Sequence, residues 1–448
     1  MKKNTMKVII LFYLIFIFNF GINAQTINLE QARALALANS RSLAKYEMSI
    51  RSSILDEKNQ FYSMLPSVSA SYSASVNYLQ NWEFVNPIDT FSTGATVTIS
   101  QIIFQGGKGF IQKAIQAIAT ESVRKDALAE YFNVLDSIDN AYYAVLETAA
   151  ALEAEEASLE AALLSYSIAE VRHSTGIINP GDYLKALSDR EGRENSRNQA
   201  RRNLALNMSK FKSLTGISGN VELETLDFSA YDGVLRRLSA ITDEEADALY
   251  ATFWKMMETS NPSLARAALG NQRAQKSYLL TWSDFSPVLT ASIFSGGLNF
   301  STERGFSSAG AGGVSIRGTI PLDFWVILNR IEKSKIARDS AVYDYVSAEI
   351  NIAADLQSAL LNAYAQAASV LSSQRSLEYT ERHFEFVMER YRLSLGSVSD
   401  LSDATSLLIN SRYSGIRSRY SFLQSLSRLR SMCALDDEQK LMNVLMGL

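Results

Sequence analysis

The residues in this sequence whose type and spacing could do chemistry are two carboxylates, Asp400 and Asp403. Three residues apart on a helix, they project from one face. Carboxylates gathered at a constriction favour cations and bind divalent ions. Asp400 also suits the positive end of a helix beginning after Ser399, a reading that needs no ion. Asp182 holds a comparable place earlier in the chain, behind Gly176, as Asp400 stands behind Gly396.

Catalysis has little to work with. No nucleophile and base pair around His173 or His383, and neither a phosphate loop nor a nucleophile elbow is present. Both histidines fall in helical runs and read as surface or packing residues. One cysteine, Cys433, and two histidines cannot assemble a Cys/His zinc site, and a disulfide framework is excluded. The expectation is a non-enzyme without cofactor or metal centre. A net charge of -4 without a polybasic cluster in the mature chain argues against nucleic acid as a partner.

Long helices must position the carboxylates. Phe110–Thr175 and Leu322–Leu395 contain no Gly or Pro over about 65 to 75 residues each. At about 1.5 Å per residue such a helix spans about 100 Å. Small and apolar positions such as Ala144, Leu146, Ala149, Ala150 and Leu152 recur at helical spacing, which suits close helix packing. Each run is expected to end at a glycine, Gly176 or Gly396, and to turn into a second helix, Asp182–Leu214 or Asp400 to about Met432.

The chain is written twice at an offset near 220 residues: Ser42-Leu43 matches Ser263-Leu264, Pro66 matches Pro287, and Asp182 matches Asp400. The expected organisation is residues 1–24 as an export signal, then repeats 25–230 and 231–448. The first repeat carries a β-hairpin at 67–104 and a helical hairpin at 107–214, the second a β-hairpin at 288–322 and a helical hairpin at 323–432. A shorter helix opens each repeat, with Asn28/Gln31 and Thr242/Glu245 as capping boxes.

The hairpins alternate strictly. Val68, Ala70, Tyr72, Ala74, Val76 and Tyr78 interleave with five serines and Asn77, and Ala95, Val97 and Ile99 interleave with Thr96, Thr98 and Ser100. In the second copy Leu289, Ala291, Ile293, Val314, Ile316 and Ile320 form the apolar set, opposite Ser315, Arg317 and Thr319. Tyr78, Trp82, Phe84, Phe91, Phe300 and Phe306 lie toward the loops, and Trp282, Phe285, Phe324 and Trp325 at the helix ends. An apolar band between two aromatic belts is the pattern of a membrane β-barrel; a half-buried soluble sheet also alternates.

Lys2, Lys3 and Lys7 precede the apolar run Val8–Phe20 and Gly21-Ile22-Asn23-Ala24, an export signal cleaved after Ala24. No later run of about 20 apolar residues exists, so a membrane would be entered by strands. Four strands cannot close a barrel, and an open edge in lipid leaves backbone groups unpaired. Several chains must then contribute.

Tyr391-Arg392-Leu393-Ser394-Leu395-Gly396-Ser397-Val398-Ser399-Asp400-Leu401-Ser402-Asp403-Ala404 resembles the second-repeat helix turn of TolC-type outer-membrane efflux channels. Gln101-Ile102-Ile103-Phe104-Gln105-Gly106-Gly107 is similar to the family's strand-to-helix turn, with Ile102 where proline is usual; in the second copy Pro321 is kept and Phe324-Trp325 replaces the glycine pair. The resemblance runs over the whole mature chain. It implies a mainly α chain with two β-hairpins, trimerising into a twelve-stranded outer-membrane barrel continuous with a helical periplasmic tunnel in a Gram-negative-type cell. It further implies a passive duct for efflux or type I secretion, with outer-membrane lipid, a periplasmic adaptor and an inner-membrane transporter as partners. Asp400 and Asp403 would line its entrance as rings, and Asp182 would belong to the turn that helps hold it shut. Two departures stand out: Asn179-Pro180-Gly181 lengthens the first turn by about two residues, and the arginine found two residues after the glycine in the best-known member is Val398. The rival reading is a secreted coiled-coil surface protein without a channel.

Overall fold

A computed structural model describes residues 25–78, 89–295, 297–301, 305–309, 312–393 and 395–447. The expected signal, 1–24, lies outside them, as do Trp82 and Phe84 of the loop-side aromatic belt. The first half of the chain runs β1 (Gln25–Ile27), α1 (Leu29–Asn39), α2 (Arg41–Tyr62), β2 (Ser67–Tyr78), β3 (Asp89–Phe104), α3 (Lys108–Ser174), α4 (Pro180–Thr215) and β4 (Val221–Leu223). The second continues with α5 (Asp232–Ser239), α6 (Asp243–Ser260), α7 (Pro262–Trp282), β5 (Val288–Phe294), β6 (Gly297–Ser301), β7 (Gly305–Ala309), β8 (Gly313–Thr319), α8 (Phe324–Arg392), α9 (Val398–Met432) and α10 (Glu438–Met446). No described helix is long and apolar enough to cross a membrane.

The Gly/Pro-free runs are the two longest helices, α3 with 67 residues and α8 with 69. Both capping boxes form: Asn28 Oδ1 accepts from Gln31 N at 2.9 Å while Gln31 Oε1 accepts from Asn28 N at 3.2 Å, and Thr242 and Glu245 exchange the same pair. The single opening helix expected in each repeat is instead two in the first, α1 and α2, and three in the second, α5, α6 and α7. Ser40 starts α2 by accepting from Leu43 N, and Asn261 starts α7 ahead of Pro262. Proline lacks the N–H a helix interior needs but suits a first turn, so it restarts the helix rather than extending it.

Two compact units form, and each draws on both repeats. In the described residues one is built from 25–39, Ser137–Asp232 and Ser373–Tyr420, the other from Ser40–Asp136, Gly233–Ser372 and 421–447. In the first, β1 pairs β4 in parallel, and the buried Tyr142 hydroxyl donates to Glu224 O at 2.6 Å beside Ile27 O at 3.2 Å. The Asp139 carboxylate, fully buried, is gripped by Arg33 through both oxygens at 2.6 and 2.9 Å.

The second unit holds the sheet. Strand β3 pairs β2 on one side and β5 then β6 on the other, while β8 pairs β5 and β7 pairs β6. The expected two-stranded second hairpin is thus two interrupted lines, β5–β6 and β7–β8. Glycine weakens strands and marks breaks, and the sequence is glycine-rich at both interruptions, Gly296-Gly297 and Gly310 to Gly313. At the first, Ser295 steps in: its N–H donates to Val97 O at 2.9 Å and its hydroxyl accepts from Val97 N at 3.4 Å. The sheet is open, and no further strand pairs β2 or β8 among the described residues. The described residues of the chain therefore form no closed barrel.

Candidate functional site

At the ends of the long helices, residues 175–179 join α3 to α4 and residues 393–397 join α8 to α9, five in each case. Gly176 has φ +73° and closes α3, with Ile177 N donating to Arg172 O at 2.8 Å. The equivalent bond in the second repeat runs from Leu395 N to Arg390 O at 2.8 Å, so Leu395, not a residue beyond Gly396, matches Ile177. Gly396 is not left-handed and does not end its helix. The expected two-residue lengthening around Pro180 disappears with it, because it came from aligning the two glycines. Hydrogen bonding, which sets where a helix stops, aligns Ser397 with Asn179 and Asp400 with Asp182.

That alignment is reinforced by matching caps. Asp182 N donates to Asn179 Oδ1 and Asn179 Nδ2 to the Asp182 carboxylate, each at 2.9 Å, while Asp400 N donates to Ser397 Oγ at 3.0 Å and Ser397 N to the Asp400 carboxylate at 3.1 Å. The Ser397 N–H and then its hydroxyl hold the exposed Asp400 carboxyl below its ordinary value. Asp400 therefore does act as a helix-start residue. Asp403, one turn on, is exposed and has no such local duty.

Beneath the turns the four helix ends share a small core of Ala169, Ala186, Val387, Tyr391, Val398, Leu401 and Ala404. Val398, at the place where the resemblance implied an arginine, is buried at 4% exposure and is part of this packing. Polar ties surround the core. Arg172 Nη2 donates to Tyr391 O at 2.7 Å and Arg392 O at 3.3 Å, with its guanidinium 4.8 Å from the Tyr391 ring centre. Lys185 reaches Ser399 Oγ at 2.7 Å, Arg193 reaches Ser406 Oγ at 2.8 Å, and the Tyr413 hydroxyl donates to Glu155 at 2.8 Å. Burial pushes the Tyr391 phenol up, and burial with the Glu155 carboxylate does the same to Tyr413. Every tie joins the first repeat to the second. Sequence reading missed Arg172, Lys185 and Arg193 because each partner lies more than 200 residues away, and only the duplication hinted that these helix ends meet. His173 stacks on Tyr183 at 4.9 Å and His383 on Tyr379 at 6.0 Å, as packing residues do.

In the sheet unit, the cross-strand rows separate cleanly. Ser67, Ser100, Ser292 and Ser315 stand opposite one another across β2, β3, β5 and β8, and Val68, Ile99, Ile293 and Val314 form the adjacent row. Hydroxyls touch along the polar face, Ser71 to Thr96 at 2.8 Å and Ser100 to Ser292 at 3.0 Å. The apolar face is bare: Val68, Tyr72, Val314 and Ile316 are each at least 70% exposed. Near the strand–helix junction Trp282, Phe285 and Phe324 follow one another at 6.2 and 6.3 Å, with Trp325 exposed beside them. Of the loop-side aromatics, Tyr78 closes β2 by its backbone pairing with Asp89.

The described chain thus holds two helical hairpins and an open sheet with one hydroxyl-lined and one apolar face. Residues 32–216 and 255–434 match the outer membrane efflux protein family, and the chain belongs to it. Among solved structures, the outer membrane channel CmeC of Campylobacter jejuni aligns with a TM-score of 0.77 at 17% identity, over 93% of this chain and 89% of that one. The outer membrane protein VceC of Vibrio cholerae aligns at 0.72 and 15%, over 91% and 96%. The open state of the Neisseria gonorrhoeae MtrE channel aligns at 0.71 and 14%, over 91% and 89%. No curated protein matches the sequence.

Proposed function

We propose that this chain is the outer-membrane exit duct of a tripartite efflux pump or type I secretion system. The observation that carries the reading is the sheet: its apolar face is bare and, among the described residues, its edges are unpaired. Such a face is stable against lipid, and in lipid the edges must be closed by other copies. Three chains, each giving four crossing lines, make a twelve-stranded barrel with Trp282, Phe324 and Trp325 at one interface and the end of β2 at Tyr78 toward the other. Exposed stripes at seven-residue spacing, Met48, Leu55 and Tyr62 on α2 and Ile336, Tyr343 and Ile350 on α8, supply helix faces for neighbouring copies to cover.

In the homotrimer the two repeats, 25–230 and 231–448, furnish the walls of a periplasmic tunnel. Asp400 and Asp403 become stacked carboxylate rings at its entrance, and the turns at Gly176, Asp182 and Gly396 move when it opens. A periplasmic adaptor and an inner-membrane transporter dock at the turns and supply the energy. Substrate choice belongs to that transporter.

Fractionation and planar-bilayer conductance test the reading together. The protein should require detergent for extraction and form cation-selective pores blocked by divalent ions, with selectivity and block lost in Asp400→Ala plus Asp403→Ala. Recovery in soluble form without detergent would sink the channel; unchanged selectivity in the double variant would sink the gate.

A further inference from the structure

Among the described strand residues, the polar face of the sheet carries a charged side chain at Arg317. Alternation along β8 puts Val314, Ile316 and Gly318 on the apolar face and Ser315, Arg317 and Thr319 on the hydroxyl face. Across the strand Arg317 stands opposite Thr290, and the neighbouring pair is Ser292 with Ser315. The remaining register positions of this row set in the sheet's described strands are Ser, Thr, Asn, Gly, Ala, Val, Ile or Phe, and the one acidic residue in those strands, Asp89, pairs with Tyr78 in the other register set. Arg317 is exposed and makes no hydrogen bond or ion pair among the described residues. An arginine held over a wall of hydroxyls, without a carboxylate to neutralise it, is costly against lipid but stable in a water-filled lumen.

Resting on the trimeric channel reading above, we infer that Arg317 is a selectivity residue of the barrel: three copies form a cationic ring that draws anionic solutes, those bearing carboxylate, phosphate or sulfonate groups. Rings of arginine or lysine favour anions in pores as rings of carboxylate favour cations. The same chain then carries two filters of opposite sign, Arg317 in the sheet unit and Asp400 with Asp403 in the other. A solute that carries both charges, or none, meets least resistance through the pair. The hydroxyl rows beside Arg317 supply hydrogen bonds without choosing a sign.

The test is the reversal potential of the full-length protein in planar bilayers under a potassium chloride gradient, kept at or below about 0.1 M so that the Debye length is at least about 10 Å. Arg317→Ser should raise the potassium-to-chloride permeability ratio about twofold or more, and Arg317→Lys should leave it near wild type. Pores of normal conductance with the same ratio in wild type and Arg317→Ser would overturn this inference and leave the channel intact. A change in Arg317→Lys as large as in Arg317→Ser would also overturn it, since shape rather than charge would then matter. No conductance from wild type at all would overturn the channel reading and the ring with it.

Discussion

Replacing Arg172 by alanine removes a tie between the two helical hairpins that joins two hydrogen bonds to a ring contact. Its guanidinium donates to two successive carbonyls, Tyr391 O at 2.7 Å and Arg392 O at 3.3 Å, and lies 4.8 Å from the Tyr391 ring centre. A hydrogen bond from a charged donor contributes about 1.5–3 kcal/mol, and a cation over an exposed ring about 0.5–1 kcal/mol. Arg172 is partly exposed, so the lower ends apply and the longer bond counts for nothing, leaving about 2 kcal/mol. At 1.4 kcal/mol per tenfold that shifts a closed-to-open equilibrium by about 30-fold in each chain. Arg172→Lys should fall between, because one ammonium cannot span both carbonyls as the planar fork does. The assay is the fraction of time single pores spend at high conductance, with cooperative heat unfolding as the check that the chain still folds. On the proposed reading the turns part when the entrance opens, so a folded Arg172→Ala protein with wild-type open time would refute the idea that this contact restrains them.

Other outcomes follow from the same geometry. Gly176→Ala should cost about 1–2 kcal/mol in thermal unfolding because φ is +73° there, whereas Gly396→Ala should be nearly silent, its added Cβ meeting nothing nearer than 3.4 Å; equal costs would contradict the revised register. Asp139→Ala leaves Arg33 facing a buried gap and should destabilise by about 3–5 kcal/mol, read as a large drop in the denaturation midpoint. Folding lowers the Asp400 pKa, so its contribution is complete above the ordinary value of 3.8 and is lost as pH falls through the lower folded value. Amide protection at the start of α9 should therefore weaken below pH 3.8 in wild type and show no such step in Asp400→Asn.

The long helices were legible because nothing in Phe110–Thr175 or Leu322–Leu395 could stop them, and the caps at Asn28 and Thr242 were legible because a capping box is local. Strand faces were equally plain, since alternation alone assigns them. What escaped was non-local or competitive. The break at Asn261-Pro262 sits inside an otherwise helical pattern, and the split of the second hairpin depends on how β3 shares its edge between β5 and β6. Gly396 misled because glycine can end a helix without doing so; only the bond from Leu395 N to Arg390 O decides where α8 closes. Arg172 looked like one arginine among many until its partners, 219 and 220 residues away, were in place.

The parallel pairing of Gln25–Ile27 with Val221–Leu223 bears on the order in which the chain assembles. Strand β1 has no partner until β4 has been synthesised, and closing so long a loop carries an entropic penalty that local helices do not incur. The helices α1 to α4 can form while β1 is still waiting, which makes this short strand a late-locking element. A pulse-labelled refolding experiment should find the amides of β1 and β4 gaining protection together, after those of α3, and the Tyr142 hydroxyl that bridges them becoming buried in that same final phase.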